Sequence, residues 1–377
     1  MMKMKRQREE DRDRDSLSNL PDEVLLHIMK SISIKDAVQT CVLSKRWKDL
    51  WKDLTFLNFD KTIGFDDSIF NMFVSSVLSN RHHSTSIHRL DFITGRHRCI
   101  GSELFNSVMS YAVLHNVQQL TICMQSNLVF EPIWFSCRSL TSLKVSLTNY
   151  TQRVVVPKYL QLPALKILHL DLAVFTASDN DCADPFSTCN MLTTLFIRSF
   201  RLDDDVKILR ISNSNLSSLT IGHHLSGPPP YQIEIATPNV KSLTIIGTPI
   251  LQLSFACNLS FLEEVYINIH SGFRRHSTTT DAGLDVRTDS VIVNWLHVLA
   301  NVKIMTITSS TISTLLNDLS KSGSTRTQPP CFARLEALKV KKLPSLPSLK
   351  KLLVEEVDAI LEYILQNSPL ARVEFIR

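Results

Sequence analysis

Glycine is scarce in this chain, nine residues in 377, and no two of them stand as a G-x-G pair. That removes the dinucleotide fingerprint and the phosphate-cradling loop, both of which need bare backbone against a pyrophosphate. No G-x-S-x-G elbow and no H-E-x-x-H helix is present, so the common hydrolase signatures are missing too. Cys41, Cys99, Cys123, Cys137, Cys182, Cys189, Cys257 and Cys331 contain no C-x-x-C spacing, the usual sign of a zinc ribbon or a redox motif. Several lie in apolar runs, the pattern of reduced, buried thiols. His97 and Cys99 are close in sequence, but neighbours on a strand or loop rarely face one another, so a Cys/His nucleophile is not expected. His82, His83 and His88 lack a cysteine at ligand spacing, and no metal, cofactor or catalytic residue is expected.

Long apolar runs are also lacking. No stretch of about 18 apolar residues exists to span a membrane, and no hydrophobic N-terminal segment reads as a signal peptide. The sequons at Asn149, Asn215 and Asn258 are therefore expected to go unused. Charge of one sign is in small excess: 41 Lys and Arg against 36 Asp and Glu give +5. Spread over this length, that is not the focused basic face of a nucleic-acid binder. Neither nucleic acid nor membrane is an expected partner. The apolar fraction of 44% suits a sizeable core, and the length suits two or three domains. Residues 1–14, polar and of mixed charge, should be a disordered tail.

What the chain does have begins at residue 15. Residues 15–60 read as three short helices. Pro21, Asp22 and Glu23 open the first, because proline tolerates a helix start and acidic residues favour the positive end of the dipole. Leu25, Ile28, Met29 and Ile32 follow at helical spacing. Ser33 with Asp36 is the expected cap of a second helix and Ser44 that of a third, lined by Trp47, Leu50 and Trp51. A unit this small cannot bury all that surface alone, so it packs on its own chain or on a partner. Residues 61–86 read as a linker with a helix at 66–80.

From Ile87 a template, apolar-x-x-apolar-x-apolar, recurs ten times. Its copies begin at Ile87, Val117, Leu140, Leu165, Leu192, Leu216, Val240, Leu262, Val302 and Leu335, and their middle residues are 30, 23, 25, 27, 24, 24, 22, 40 and 33 apart. That is close to the leucine-rich-repeat period. The last two apolar positions, two residues apart, point into a solenoid, and the residue between them points out. Residues 87–343 are thus expected to form an α/β solenoid with a parallel sheet on one face. The outward row would carry Asp91, Thr121, Lys144, His169, Phe196, Thr220, Thr244, Tyr266, Thr306 and Lys339. Lys144, His169, Phe196 and Tyr266 are its candidate target-binding residues, since aromatic side chains anchor interfaces. The loops at 271–289 and 320–330 account for the two long steps, and a helix is expected at 290–300. Residues 344–377 read as a helix and a closing strand that cap the array.

Three segments carry a family resemblance: LPDEVLLHIM, KDAVQTCVLSKRWKDLWKDL and LTFLNFD. Together they resemble a plant F-box. The repeats resemble the degenerate plant F-box type, and LEYILQNSPLARVEFIR resembles the end of an FBD segment. The resemblance implies a small N-terminal three-helix F-box ahead of the solenoid, docking on a Skp-type adaptor and through it on a cullin–RING ubiquitin ligase. It implies a non-catalytic substrate receptor in the nucleus or cytosol, with the repeats holding an unknown target protein. Leu20, Pro21, Val24, Leu25, Ile28, Val38, Val42, Leu43 and Trp47 would face the adaptor or support that face. A binding scaffold outside any ligase, or a small-molecule sensor with a polar pocket on the array, is the alternative.

Overall fold

The computed structural model describes residues 17, 20–62, 66–95, 100–124, 135, 137–147, 153–223, 231–248, 251–270, 291–321, 328–342, 354–368 and 370–376, in two compact units, residues 1–128 and 129–377. The tail at 1–14, the loop at 271–289 and residues 344–353 of the sequence reading lie outside the described residues.

The first unit runs α1 (Asp22–Met29), α2 (Ile34–Gln39), α3 (Trp47–Leu50), β1 (Phe56–Asp60), α4 (Asp67–Asn80), β2 (Arg89–Ile93), α5 (Ser102–Leu114) and β3 (Gln119–Met124). Short 3-10 turns at Thr40–Val42 and Trp51–Asp53 extend α2 and α3. Ser33 caps α2 as expected, its hydroxyl accepting from the Asp36 N–H at 3.1 Å. Ser44 does not cap α3, whose N-cap position is Arg46 with no side-chain cap bond. The Arg46 guanidinium turns back instead and donates to the Asp22 carboxylate at 2.7 Å and to the Leu20 carbonyl.

β1, β2 and β3 are parallel neighbours, with Leu57 beside Leu90 and Leu90 beside Leu120. The apolar tail LTFLNFD, expected to finish the F-box, is strand β1. Leu57 and Phe59 alternate inward with the same parity as the repeats, so the sheet starts one strand early. Asp66 caps α4 by accepting from the Ser68 N–H at 2.9 Å, and α4 buries Phe70, Val74, Val77 and Leu78. Helix α5, which the sequence reading left unassigned, buries Leu104, Phe105, Val108, Met109 and Ala112. Buried Arg81 ties the unit together, donating to the Leu54 carbonyl and, at 3.0 Å, to the Tyr111 hydroxyl.

The second unit contains β4 (Ser142–Leu147), β5 (Val154–Val156), β6 (Ile167–Asp171), β7 (Ala173–Phe175), β8 (Cys182–Ala183), β9 (Thr194–Arg198), β10 (Arg201–Leu202), β11 (Ile208–Ser212), β12 (Ser218–His223), β13 (Tyr231–Ala236), β14 (Ser242–Gly247), β15 (Leu251–Phe255) and β16 (Glu264–Ile269). α6 (Val291–Val298), β17 (Ile304–Thr308), α7 (Ser309–Lys321), β18 (Ala337–Lys341), α8 (Val354–Leu365) and β19 (Arg372–Ile376) complete it. Its main sheet is parallel, in the order β4-β6-β9-β12-β14-β16-β17-β18-β19. All three apolar positions of every template copy in this unit are buried, from Leu140, Leu143 and Val145 to Leu335, Leu338 and Val340. No repeat closes a core alone, and stacking makes the core continuous.

Behind the main sheet the repeats differ. The short middle repeats return through strands that form two further parallel sheets, β10-β7-β5 and β15-β13-β11-β8. The sequence reading left these strands unassigned. The steps of 40 and 33 residues hold α6 and α7, because a helix rises less per residue than a strand and so needs more chain to return over the same length. Thr308 and Thr311 fasten α7. The Thr311 hydroxyl donates to the Ile267 carbonyl at 3.0 Å and accepts from the Ile269 N–H at 2.9 Å.

Candidate functional site

The segment from Leu17 to Leu43 keeps an apolar surface open to solvent. Val42 is 83% and Leu43 63% exposed, and Leu17, Val24, Ile28 and Ile32 are also exposed. Pro21 is exposed, and Leu20 and Val38 are half-buried. Two of the residues expected to face the adaptor or support that face are buried. Leu25 is fully buried together with Met29, one turn on, and Trp47 is buried with Leu50 and Trp51. The reason is helical phase. Leu25 and Met29, four residues apart, share the edge of the helix that turns inward, Ile28 lies on the edge that turns outward, and Ile32 falls beyond the end of the helix at Met29. Exposed apolar side chains clustered within one short segment are the usual mark of a docking surface. Arg46 gives that surface its geometry, since its bonds to Asp22 and Leu20 pin the chain just after Leu43 to the start of α1.

The outward row of the second unit is continuous. Lys144 lies beside His169, His169 beside Phe196, and the row proceeds through Thr220, Thr244, Tyr266, Thr306 and Lys339. The His169 and Phe196 rings stack, with centroids 5.1 Å apart and planes 17° apart. Arg198 lies over the Phe196 ring at 6.0 Å and bonds Asp171 at 2.5 Å. Gly222 makes room for it, because a Cβ there would come within 3.0 Å of the Arg198 Cγ. Lys144, His169, Phe196 and Arg198 thus form one platform. Tyr266 stands three strands beyond Phe196, about 14 Å away at ordinary strand spacing. Arg198 had no signal in the repeat template, which singles out only the middle outward residue. Asp91, expected on the solvated row of the first unit, is buried beneath its ion pair with Arg89, at 2.9 Å.

Burial, with a smaller contribution from Lys144, holds the His169 imidazole below its ordinary range. His115, stacked on Tyr111 with centroids 4.0 Å apart, is lowered chiefly by burial as well. Both groups resist protonation in the fold and accept it freely once unfolded. The unfolded chain therefore binds more protons below about pH 6.5, and stability present above that pH is lost as it falls towards the lowered native values. Thermal unfolding should move to lower temperature on acidification through this window, and His115→Gln with His169→Gln should flatten the dependence. An unchanged slope in the double variant would count against both assignments.

The other candidate groups separate. His82 bonds Asp53 at 2.7 Å, while His88 meets Gln118 at 2.9 Å; His97 and Cys99 lie outside the described residues. Of the described cysteines Cys137 and Cys189 are buried, Cys41, Cys123, Cys182 and Cys257 are half-buried and Cys331 is exposed. Burial pushes the Cys189 thiol up to about 11, which keeps it protonated at neutral pH. Asn215 of a sequon donates to the Asn190 carbonyl at 2.5 Å. A cleft of about 330 Å³ in the first unit is lined by residues including Lys30, Ser31, Phe56, Asn58, Arg89 and Asp91. Among the described residues no helix is long and apolar enough to cross a membrane.

Residues 17–59 match the F-box domain family. Over nearly its whole length the chain is also similar to proteins of Arabidopsis thaliana. F-box/LRR-repeat protein 13 is 28% identical over 91% of this chain and 77% of its own length. An FBD-associated F-box protein is 28% identical over 92% and 78%, and an F-box/FBD/LRR-repeat protein 28% identical over 90% and 77%. Other relatives are matched over about two thirds of their length. The chain therefore carries an F-box domain at residues 17–59, joined to a parallel repeat sheet, and resembles plant F-box/FBD/LRR-repeat proteins over most of its length.

Proposed function

We propose that this chain is the substrate-recognition subunit of an SCF-type ubiquitin ligase, its F-box docking a Skp-type adaptor and its repeats holding a target protein. The observation that carries the reading is the exposed pair Val42 and Leu43 within the segment that matches the F-box family. F-box domains typically bind Skp-type adaptors. Leu20, Pro21, Val24, Ile28, Val38, Val42 and Leu43 form the proposed face, with Leu25 and Trp47 supporting it from beneath.

In this reading the chain does no bond chemistry. It brings a target lysine to a charged ubiquitin-conjugating enzyme held by the cullin–RING partner, and its contribution is proximity and orientation. The target is taken by the outward row of residues 87–343, with Lys144, His169 and Phe196 at one anchor point and Tyr266 at another. The setting is the nucleus or the cytosol. The experiment is co-purification of the full chain with a Skp-type adaptor. One-to-one retention supports the ligase reading, and a well-folded chain that leaves the adaptor behind is a scaffold. The remaining alternative after the scaffold, a small-molecule sensor, draws on the polar cleft beside Lys30 and Arg89.

A further inference from the structure

Among the described residues β19 stands last in the order of the main sheet. Among the described residues β19 pairs only with β18, with Leu338 beside Val373 and Val340 beside Phe375. Leu338 and Val340 are buried core positions, yet Phe375 is 70% exposed and Val373 is exposed too. Leu370, just before the strand, is 71% exposed. The backbone repeats the pattern. The Arg372 N–H donates to the Glu336 carbonyl at 3.0 Å, and the Ile376 carbonyl accepts from Lys342 at 3.1 Å. Arg372, Glu374 and Ile376 thus turn their peptide groups towards β18, and Val373 and Phe375 turn theirs towards the open edge. An open edge of this kind is a template for another strand.

We propose that the occupant of this edge is a second copy of the same chain, its β19 antiparallel to the first about a two-fold axis at Val373. Charge selects both the partner and the register. Centring the pair on Arg372 sets two guanidinium groups face to face, and centring it on Glu374 sets two carboxylates face to face. Centring it on Val373 places Arg372 opposite the partner's Glu374, and Glu374 opposite the partner's Arg372. In that register the two Val373 residues exchange both backbone hydrogen bonds, using the groups that point to the open edge. On the core side, Phe375 falls opposite the partner's Ala371, large against small. A two-fold axis normal to the sheet keeps the two cores on the same side, so the apolar layer continues from one copy into the other.

The test is sedimentation velocity of the full chain over a wide dilution series. A concentration-dependent dimer is expected. Arg372→Glu or Glu374→Arg should weaken it at least about tenfold, since each change turns two attractive cross-strand pairs repulsive. The double swap R372E/E374R should restore it, which loss of folding would not do. Oxidation of Val373→Cys should give a reducible dimer and Glu374→Cys should not, because only the first places its equivalents within disulfide reach. A monomer at every concentration overturns the proposal. So does a dimer indifferent to the single charge reversals, or one that the double swap fails to restore. Adaptor binding is a separate readout and should be unaltered in all of these variants.

Discussion

Replacing Val42 and Leu43 together by aspartate should strip a Skp-type adaptor from the purified chain and leave its fold intact. Both side chains are already in water, 83% and 63% exposed, so the change removes little burial, and its cost to stability should stay near 0.5 kcal/mol per site. At an interface the same positions become central. Loss of two apolar anchors, with two carboxylates desolvated in their place, should cost at least about 4 kcal/mol of binding, roughly a thousandfold. Leu25→Asp makes the contrast. Its side chain has no exposure and sits with Met29 inside the unit. A carboxylate there should cost about 4 kcal/mol or more of stability, and adaptor would be lost because the helices are lost. Adaptor stoichiometry and the thermal transition, measured on the same samples, separate the two cases. If V42D/L43D retains adaptor at the wild-type ratio, the face assigned to it is wrong.

That contrast marks where the sequence stops being readable. Period alone identified the helix around Leu25 and Ile28, but which edge of the stripe turns inward depends on what packs against it. Trp47 raised the same ambiguity, because a large aromatic suits a core as well as an interface, and here it is buried. The repeat sheet was more legible. An alternation of two fixes which residues share a face, so the row from Lys144 to Lys339 could be written down in advance, and the strands register it residue by residue. Four of the backing strands could not be. β5, β7, β8 and β10 are two or three residues long, too short for any period to show. Arg198 escaped for a different reason: its contribution to the platform comes from a glycine on the next strand, Gly222, and that pairing exists only once the strands are stacked.

Gly247→Ala should be the most destabilising single-methyl change in the second unit. Gly247 ends β14 beside His223 of β12, and a Cβ on it would lie 1.8 Å from the His223 carbonyl oxygen. That oxygen is not free to move, because it accepts from the Thr248 N–H at 2.9 Å and belongs to a ladder strand. The backbone adds a second cost. Leu172 and Ser199, at the equivalent point after β6 and β9, have φ of 62° and 53°, within the left-handed region that ordinary residues reach at modest expense. Gly247 has φ of 116°, beyond that region and open in practice only to glycine. Overlap and strain together should cost about 3 kcal/mol or more. Gly101, with nothing within 4 Å of its would-be Cβ, is the control, and G101A should cost less than about 1 kcal/mol. Hydrogen exchange at the β12 and β14 amides reads the effect where it arises, since two compact units need not unfold in one step. Native-like protection of those amides in G247A would mean that β12 and β14 do not meet as closely as the register between His223 and Gly247 requires.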